Sequence, residues 1–264
     1  MKTINVKTDY ELYNAIQTAD NGDTISLKPG EYFATHSIFL SLKKSLTIKG
    51  QYANAKATKI NGGLFFGENV TLILENLVLT YDDEKGNTLA LYEGAKLYCN
   101  NVIIDRSNNS SWDTIYCSNS FLSLKNSDIR SDRQKTATST SLENSQLISI
   151  GSNMHMPKLI NSTAYLKDSF VSYSLILKEK SKLFFTDLAI DSTQNSEYSD
   201  FYVSGESTVN GESLDFYKDE PFIDVLNSDF EGNNFFAGKD KVRWRYDNDS
   251  NVLLDGAQPF NNAL

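Results

Sequence analysis

Apolar and polar residues alternate along most of the chain with a period of two, which is the pattern of β-strands. Thr24–Leu27 (TISL) is the first clear example, and Leu46–Gly50 (LTIKG) repeats it. The turn signal KPG at residues 28–30 follows the first of these segments. The pattern predicts an all-β chain that is built from short strands.

One segment, residues 8–19, departs from this alternation and has the period of an amphipathic helix. Its apolar face consists of Leu12, Ala15, Ile16 and Ala19. Thr8 stands three residues before Glu11, which is the spacing of a capping box, where a hydroxyl and a carboxylate satisfy backbone amides at the helix start. We therefore expect a short capping helix near the N-terminus.

A weak repeat with a step of about 25 residues begins near residue 64. Its three clearest copies are residues 72–79, 97–104 and 122–129, each an alternating strand, an Asn and a second short strand. Looser copies follow at residues 142–144, 166–170, 185–190 and 210–214, each with a polar residue at the bend, Asn144 in the first of them. Repeats of this length are typical of solenoids, in which each repeat contacts only its neighbours.

A parallel β-helix explains why the same Asn returns once per turn. Asn adopts left-handed backbone angles more readily than most residues, so it suits a tight bend between two strands. In this arrangement Leu72, Leu74, Leu77 and Leu79 point inward. A β-sandwich is the competing fold, but it gives no reason for an Asn at a constant step.

Composition excludes several classes of partner. The 34 acidic residues outnumber the 25 basic ones, and the net charge of -9 opposes binding to nucleic-acid phosphates. No apolar stretch reaches the roughly 18 residues of a membrane span, so we expect neither nucleic acid nor membrane as a partner. Cys99 and Cys117 lie in apolar stretches, which predicts buried thiols instead of a disulfide.

The first residues lack the apolar stretch of a secretory signal. This predicts a cytoplasmic protein, or a secreted one if a signal has been removed.

The first fifth of the chain resembles the N-terminal helix and first turns of the pectin lyase-like superfamily. The resemblance is carried by residues 13–16 (YNAI), 22–32 (GDTISLKPGEY) and 45–50 (SLTIKG). It implies an all-β, right-handed parallel β-helix that forms a single domain over residues 1–264. We expect the capping helix at 8–19, the helical coils at 24–234 and a C-terminal cap at 235–264.

The resemblance also indicates where chemistry would lie. Substrates of the enzymes in this superfamily lie across the outer face of one strand stack and the loops before it, here residues 81–87, 105–113, 131–139 and 191–199. A lyase resembling the pectate lyases would use acidic residues to hold Ca²⁺ against the substrate, and a basic residue to abstract a proton. The candidates are Asp105, Asp113, Asp128 and Arg130.

The 25-residue step puts Asp105 beside Arg130, one turn apart and within reach of an ion pair. These four residues also fit an ordinary charged surface. No paired-carboxylate motif set of a polygalacturonase-like hydrolase is present.

A second group of candidates would bind a ligand or a partner. Aromatic and arginine side chains dominate interfaces, and aromatic rings also stack on sugars. The binding candidates are Tyr92, Arg106, Trp112, Tyr116, Arg133, Arg243 and Trp244. Packing under loops is the alternative for the tyrosines, and closing the last turn is the alternative for the segment around Trp244.

Members of the superfamily include polysaccharide lyases, hydrolases and epimerases, but also phage spikes, adhesins and scaffolds. The poor catalytic set favours a non-catalytic interaction or scaffold protein that binds a protein partner along the side of the coil. The alternative is a carbohydrate-active enzyme, a Ca²⁺-dependent lyase or a hydrolase, acting on an acidic polysaccharide. No cofactor is expected under the first hypothesis, and only Ca²⁺ under the second.

Overall fold

The computed structural model describes residues 1–83, 86–106, 112–131, 138–195, 198–235, 242–256 and 259. The chain divides into two compact units, residues 1–140 and 141–264. Strands pair in parallel throughout both units, which confirms the predicted parallel β-helix. No helix in the described ranges is long and apolar enough to cross a bilayer.

The predicted helix is present as α1 (Asp9–Thr18), within one residue of the expected segment at each end. The Thr8 hydroxyl accepts a hydrogen bond from the Glu11 amide, and the Glu11 carboxylate accepts one from the Lys7 amide. The helix buries Leu12, Ala15 and Ile16. Its packing therefore follows the apolar face that the sequence defines.

The strands of the first unit form parallel stacks that we call sheet A and sheet B. Sheet A contains β1 (Thr3–Val6), β2 (Thr24–Leu27), β3 (Gly30–Tyr32), β5 (Leu46–Gly50), β7 (Thr71–Thr80), β9 (Lys96–Arg106), β11 (Phe121–Lys125) and β12 (Asp128–Ser131). Sheet B contains β4 (Ile38–Leu42), β8 (Leu89–Leu91) and β10 (Ile115–Ser118). One strand, β6 (Thr58–Phe66), belongs to both, and a 3₁₀ turn at Ala55–Ala57 precedes it.

The repeated Asn residues of the first unit lie where sheet A bends. Asn76, Asn101 and Asn126 have φ of 54°, 55° and 48°. The Asn101 amide nitrogen donates to the Asn76 side-chain oxygen over 2.8 Å, one turn away. The leucines on either side are fully buried, as the inward parity predicts. The sequence therefore predicted both the regular spacing of the Asn residues and the buried leucines of this unit.

The strands from residue 140 onward follow the same plan. Sheet A of the second unit contains β14 (Gln146–Ile150), β15 (Asn153–His155), β17 (Thr163–Ser172), β19 (Lys182–Asp191), β21 (Thr208–Phe216), β23 (Asp229–Phe235) and β25 (Asn251–Leu254). Sheet B contains β13 (Thr140–Glu143), β16 (Lys158–Ile160), β18 (Leu175–Lys178), β20 (Phe201–Ser204), β22 (Phe222–Leu226) and β24 (Arg243–Tyr246).

The second unit keeps the predicted polar residue at the bend inside sheet A, but it departs from the prediction in the place of Asn144 and in the step between turns. Asn144 lies at the other bend, between a sheet B strand and a sheet A strand, where it bonds Asn161. The bend inside sheet A is occupied by Asp168, Asp187, Ser213 and Asn234, all with positive φ. The turns also vary in length, since Asn144 and Asn161 are 17 residues apart whereas Ser181 and Ser207 are 26 apart. Loops of unequal length absorb this difference.

A ladder of serine hydroxyls runs along the second unit beside that other bend. From Ser162 onward, each hydroxyl accepts a hydrogen bond from the backbone amide of the serine one turn before it, over 3.0 to 3.3 Å. The ladder consists of Ser145, Ser162, Ser181, Ser207, Ser228 and Ser250. These bonds satisfy amides that the tight bend leaves outside the strand ladders.

The described part of the expected C-terminal cap continues the solenoid. Strand β24 pairs in parallel with β22, and β25 pairs with β23. Trp244 points inward, is 1% exposed, and packs edge-on against Phe230 with ring centroids 5.4 Å apart. Trp244 is therefore a core residue and not part of an accessible docking surface. The capping role of residues 235–264 stays a prediction.

Candidate functional site

The first unit brings three of the predicted catalytic residues into direct contact. Arg130 on β12 is the register partner of Asp105 on β9, as the repeat step predicts. The Arg130 Nη1 atom lies 3.9 Å from the Asp105 carboxylate, and its Nε donates to the Asp128 carboxylate over 2.7 Å. The Arg130 side chain is 45% exposed. We call Asp105, Asp128 and Arg130 the Arg130 cluster.

Asp113, the fourth predicted catalytic residue, lies on a segment that is anchored to the Arg130 cluster through the backbone. The Thr114 hydroxyl donates to the backbone carbonyl of Arg130 over 2.5 Å. The Asp113 carboxylate accepts a hydrogen bond from the Thr138 hydroxyl, and its carbonyl accepts one from the Asn87 side chain. Trp112, which precedes it, is 48% exposed. A carboxylate and an exposed indole therefore lie on the segment next to the end of β12.

Arg106 has a different position from the one its charge suggested. It continues the inward parity of β9 and is 1% exposed. Its guanidinium donates to the backbone carbonyls of Tyr81 and Asp83, and lies 5.2 Å from the centre of the Tyr81 ring. Burial lowers the pKa of Arg106, against the opposing effects of Tyr81 and the nearby carboxylates. Arg106 thus holds a loop and is not available to a ligand.

The two predicted aromatic residues of sheet B form a column with a third ring. The ring of Tyr92 lies 5.2 Å from Phe65 and 5.6 Å from Tyr116, measured between centroids. Phe65 is exposed and both tyrosines are half-buried. The column covers the outer side of sheet B, where the resemblance placed the substrate. Arg133, the other predicted binding residue of this unit, lies outside the described residues.

Sequence reasoning missed a charged network on sheet B of the second unit. Asp224 is buried although its parity is outward, because Arg245, its register partner, covers it with a two-pronged contact. This hydrogen bond raises the pKa of Arg245. Arg243 and Arg245 both lie 5.4 Å from the ring of Phe222. The sequence does carry one sign of this network, because Asp224 is an acidic residue at an outward position between the apolar Ile223 and Val225.

A second buried acid of this unit, Asp200, pairs with Lys218 over 3.1 Å. It also accepts hydrogen bonds from the Phe222 amide and the Asn195 side chain. These contacts hold the segment between β19 and β20 in place, so we assign the pair a structural role.

Calcium does not fit the Arg130 cluster as the structure has it. Asp105 and Asp128 both face the Arg130 guanidinium, which supplies the positive charge that a cation would otherwise bring. Across the described ranges, no three His, Cys, Asp or Glu side chains are grouped so that they could hold a metal ion. We therefore assign no step to calcium.

Two solved structures resemble this chain over nearly its whole length. The alginate lyase from Paenibacillus sp. str. FPU-7 has a TM-score of 0.53 and 13% identity, with 95% of this chain and 99% of that chain covered. The PL6 family alginate lyase AlyGC has a TM-score of 0.50 and 13% identity. This chain covers 40% of the length of AlyGC, with 96% of its own length matched. No protein-family model and no curated protein sequence matches the chain.

At this identity the likeness shows the fold, which is the β-helix that the sequence resemblance implied. The main functional expectation was nevertheless wrong. Both structures are polysaccharide lyases, which favours the carbohydrate-active alternative over a non-catalytic scaffold with a protein partner.

Proposed function

We propose that this chain, a β-helix of the pectin lyase-like type, is a carbohydrate-active enzyme that cleaves an acidic polysaccharide by β-elimination. The observation that carries the proposal is a half-exposed guanidinium, Arg130, held by two carboxylates from neighbouring turns. Alginate is an acidic polysaccharide, and the two structures most useful for comparison are alginate lyases. The proposed substrate class therefore rests on the exposed guanidinium and on these two similar structures.

β-Elimination on a uronate makes definite chemical demands. A base removes the proton alpha to the carboxylate, and the electron pair forms a carbon–carbon double bond. The bond to the glycosidic oxygen on the β-carbon breaks, and that oxygen takes up a proton from water. Negative charge develops on the substrate carboxylate during this step, so a cation placed there lowers the barrier.

Arg130 meets the demand for a cation. An arginine stays protonated at any working pH, and its planar donors match a carboxylate in a two-pronged contact. Asp105 and Asp128 fix the guanidinium from two sides, so it is oriented before the substrate arrives. We therefore assign Arg130 to the substrate carboxylate, with Asp105 and Asp128 as positioning residues.

Asp113 is the residue that we assign to proton abstraction. It is the carboxylate on the segment that the Thr114 hydroxyl anchors beside Arg130. Its Thr138 hydrogen bond fixes the carboxylate, and the Thr114 contact fixes the segment against Arg130. The adjacent Trp112 supplies an exposed ring on which the apolar face of a sugar can pack.

The test is an assay on alginate, pectate and glycosaminoglycans that follows both the ultraviolet absorbance of the unsaturated product and new reducing ends. We expect both signals to rise together with at least one polymer. Arg130→Ala and Asp113→Asn should each lower kcat/KM by about a hundredfold or more, the usual loss when one group that stabilises or drives the reaction is removed. Their melting temperatures should stay close to that of the wild type, because both sites are partly exposed.

Lys59→Ala is the matched control. Lys59 is an exposed cation of the same unit whose Nζ lies 2.7 Å from Glu31, and its removal should leave kcat/KM unchanged. Full activity of Arg130→Ala would contradict the assignment of the site. Reducing ends without unsaturated product would replace elimination by hydrolysis.

A further inference from the structure

The second unit carries an exposed apolar surface that the proposed reaction does not use. We define the shelf as Ile148, Ile150, Tyr165 and Phe184, which face outward from β14, β17 and β19. Tyr165 is 51% exposed and Ile150 is 42% exposed. Contiguous exposed apolar side chains make this surface a candidate interaction site.

The parallel register builds the shelf. Ile148 pairs with Tyr165, and Tyr165 pairs with Phe184, so the three side chains form one column across successive turns. The two rings are stacked, with centroids 5.0 Å apart and planes 13° apart. They line an open depression of about 390 Å³, a volume in the range of small-ligand sites.

Two lysines flank this column. Lys167 is the register partner of Ile150 on one side, and Lys182 is the register partner of Thr163 on the other. Both side chains are exposed, and neither forms an ion pair with any residue that the structure describes. In a protein of net charge -9, two exposed lysines that flank an aromatic stack and form no ion pair with a described residue favour an anionic ligand.

Apart from the buried Leu166 and Phe185, the remaining lining residues are polar and uncharged. Thr186 and Asn210 offer a hydroxyl and an amide at the edge of the depression. The lining includes no carboxylate and no imidazole. We assign its phenol and its ammonium, on Tyr165 and Lys167, to binding, because the Tyr165 ring stacks on Phe184 and the lysine is exposed beside it.

We propose that the shelf is a binding site for a segment of an acidic polysaccharide. Sugar rings pack on the Tyr165 and Phe184 stack, and uronate carboxylates pair with Lys167 and Lys182. The class of ligand rests on the proposed function, whereas the position of the site rests on the exposed side chains of the shelf. A bound polymer segment is thereby held on the enzyme independently of the residues that cleave it.

The test measures binding in the Arg130→Ala background, so that the ligand is not consumed. Size-defined oligouronates from alginate and pectate are titrated by calorimetry, with a neutral oligoglucan as the reference ligand. We expect oligouronate binding that weakens with salt, and no binding of the neutral ligand. Tyr165→Ala, and the double variant Lys167→Gln with Lys182→Gln, should each raise Kd by about tenfold.

Two control variants change exposed residues of the same unit that do not line the depression. Lys180→Gln removes an exposed lysine that lies 3.4 Å from Glu206, and Tyr217→Ala removes an exposed tyrosine beside Phe170. Both should keep Kd within about twofold of the parent value. Melting temperatures should be equal across the set, since all the changed side chains are exposed.

Unchanged oligouronate affinity in both shelf variants would overturn the proposal, as would an absence of oligouronate binding to the parent protein. A dimer in light scattering that Tyr165→Ala converts to monomer would also overturn it, because a second copy would then cover the shelf. Shelf-dependent binding without any cleavage by the wild type would sustain this site and reject the proposed reaction. Cleavage by the wild type together with unaltered binding in the shelf variants would sustain the proposed reaction and reject the shelf as a binding site.

Discussion

At the scale of single residues, strand parity decides what a charge does. Arg106 follows Val102 and Ile104 on the inward side of β9 and donates to two loop carbonyls. Arg130 has the outward parity of β12 and stays half-exposed between two carboxylates. Two arginines of one unit are thus divided into a structural residue and a candidate ligand-binding residue by a shift of one position.

Arg106→Ala should lower the free energy of unfolding by about 3 kcal/mol, because both loop carbonyls lose a charged donor and a buried space opens. Urea denaturation measures this difference. Lys96→Ala, which removes an exposed cation from the same strand, is the control and should change stability by less than about 0.5 kcal/mol. A loss for Arg106→Ala as small as that of the control would contradict the structural role.

The two free thiols give a prediction on pH. Cys99 and Cys117 are buried, and desolvation raises the pKa of both. Below the ordinary thiol pKa of about 8.5, both groups are protonated in the folded and the unfolded chain, so they add no pH dependence. Above it only the unfolded chain loses these protons, so stability falls as the pH rises, by up to about 1.4 kcal/mol per pH unit for each thiol.

The measurement compares the wild type with a Cys99→Ala, Cys117→Ala double variant between neutral and alkaline pH. The cavities lower the stability of the variant at every pH, but its alkaline slope should be the shallower one. Equal slopes would show that these thiols ionise in the folded protein.

At the scale of the element, the bend inside sheet A is where sequence specifies structure most directly. Asn101 has φ of 55°, and its side chain bonds both Asn76 and the carbonyl of Ala53. The residue therefore contributes a backbone conformation and a set of hydrogen bonds. Substitutions can separate the two contributions.

Asn101→Gly keeps the left-handed bend and loses the bonds, whereas Asn101→Ala loses the bonds and strains the bend. We expect the alanine variant to be less stable than the glycine variant by about 1 kcal/mol. Thermal or urea unfolding of the two variants tests the order. A more stable alanine variant would mean that the bend relaxes to negative φ.

The same element shows how far the sequence could be read. Asn76 and Asn101 are 25 residues apart, so a constant step predicted both the fold and the contact of Asp105 with Arg130. In the second unit Asp, Ser and unequal loops replace that regularity. Asp224 and Arg245 are 21 residues apart, so the constant step seen in the first unit does not predict their contact. The shelf depended in the same way on a register that only the structure supplies.

At the scale of the whole molecule, charge opposes the proposed ligand. A net charge of -9 repels a polyanion at long range and slows its approach. Binding then has to come from short-range contacts with exposed cations. Lys167 and Lys182 are exposed on the second unit, and Arg130 is held by two carboxylates on the first.

The unequal turns of the second unit keep their strands in register because the extra length is collected at one corner. Two residues separate β15 from β16 and β17 from β18, whereas nine separate β19 from β20 and five separate β21 from β22. The strand pairings on either side stay parallel and unbroken. Loops at that corner can therefore change in length and sequence, by evolution or by engineering, while the strands that support them keep their pairing.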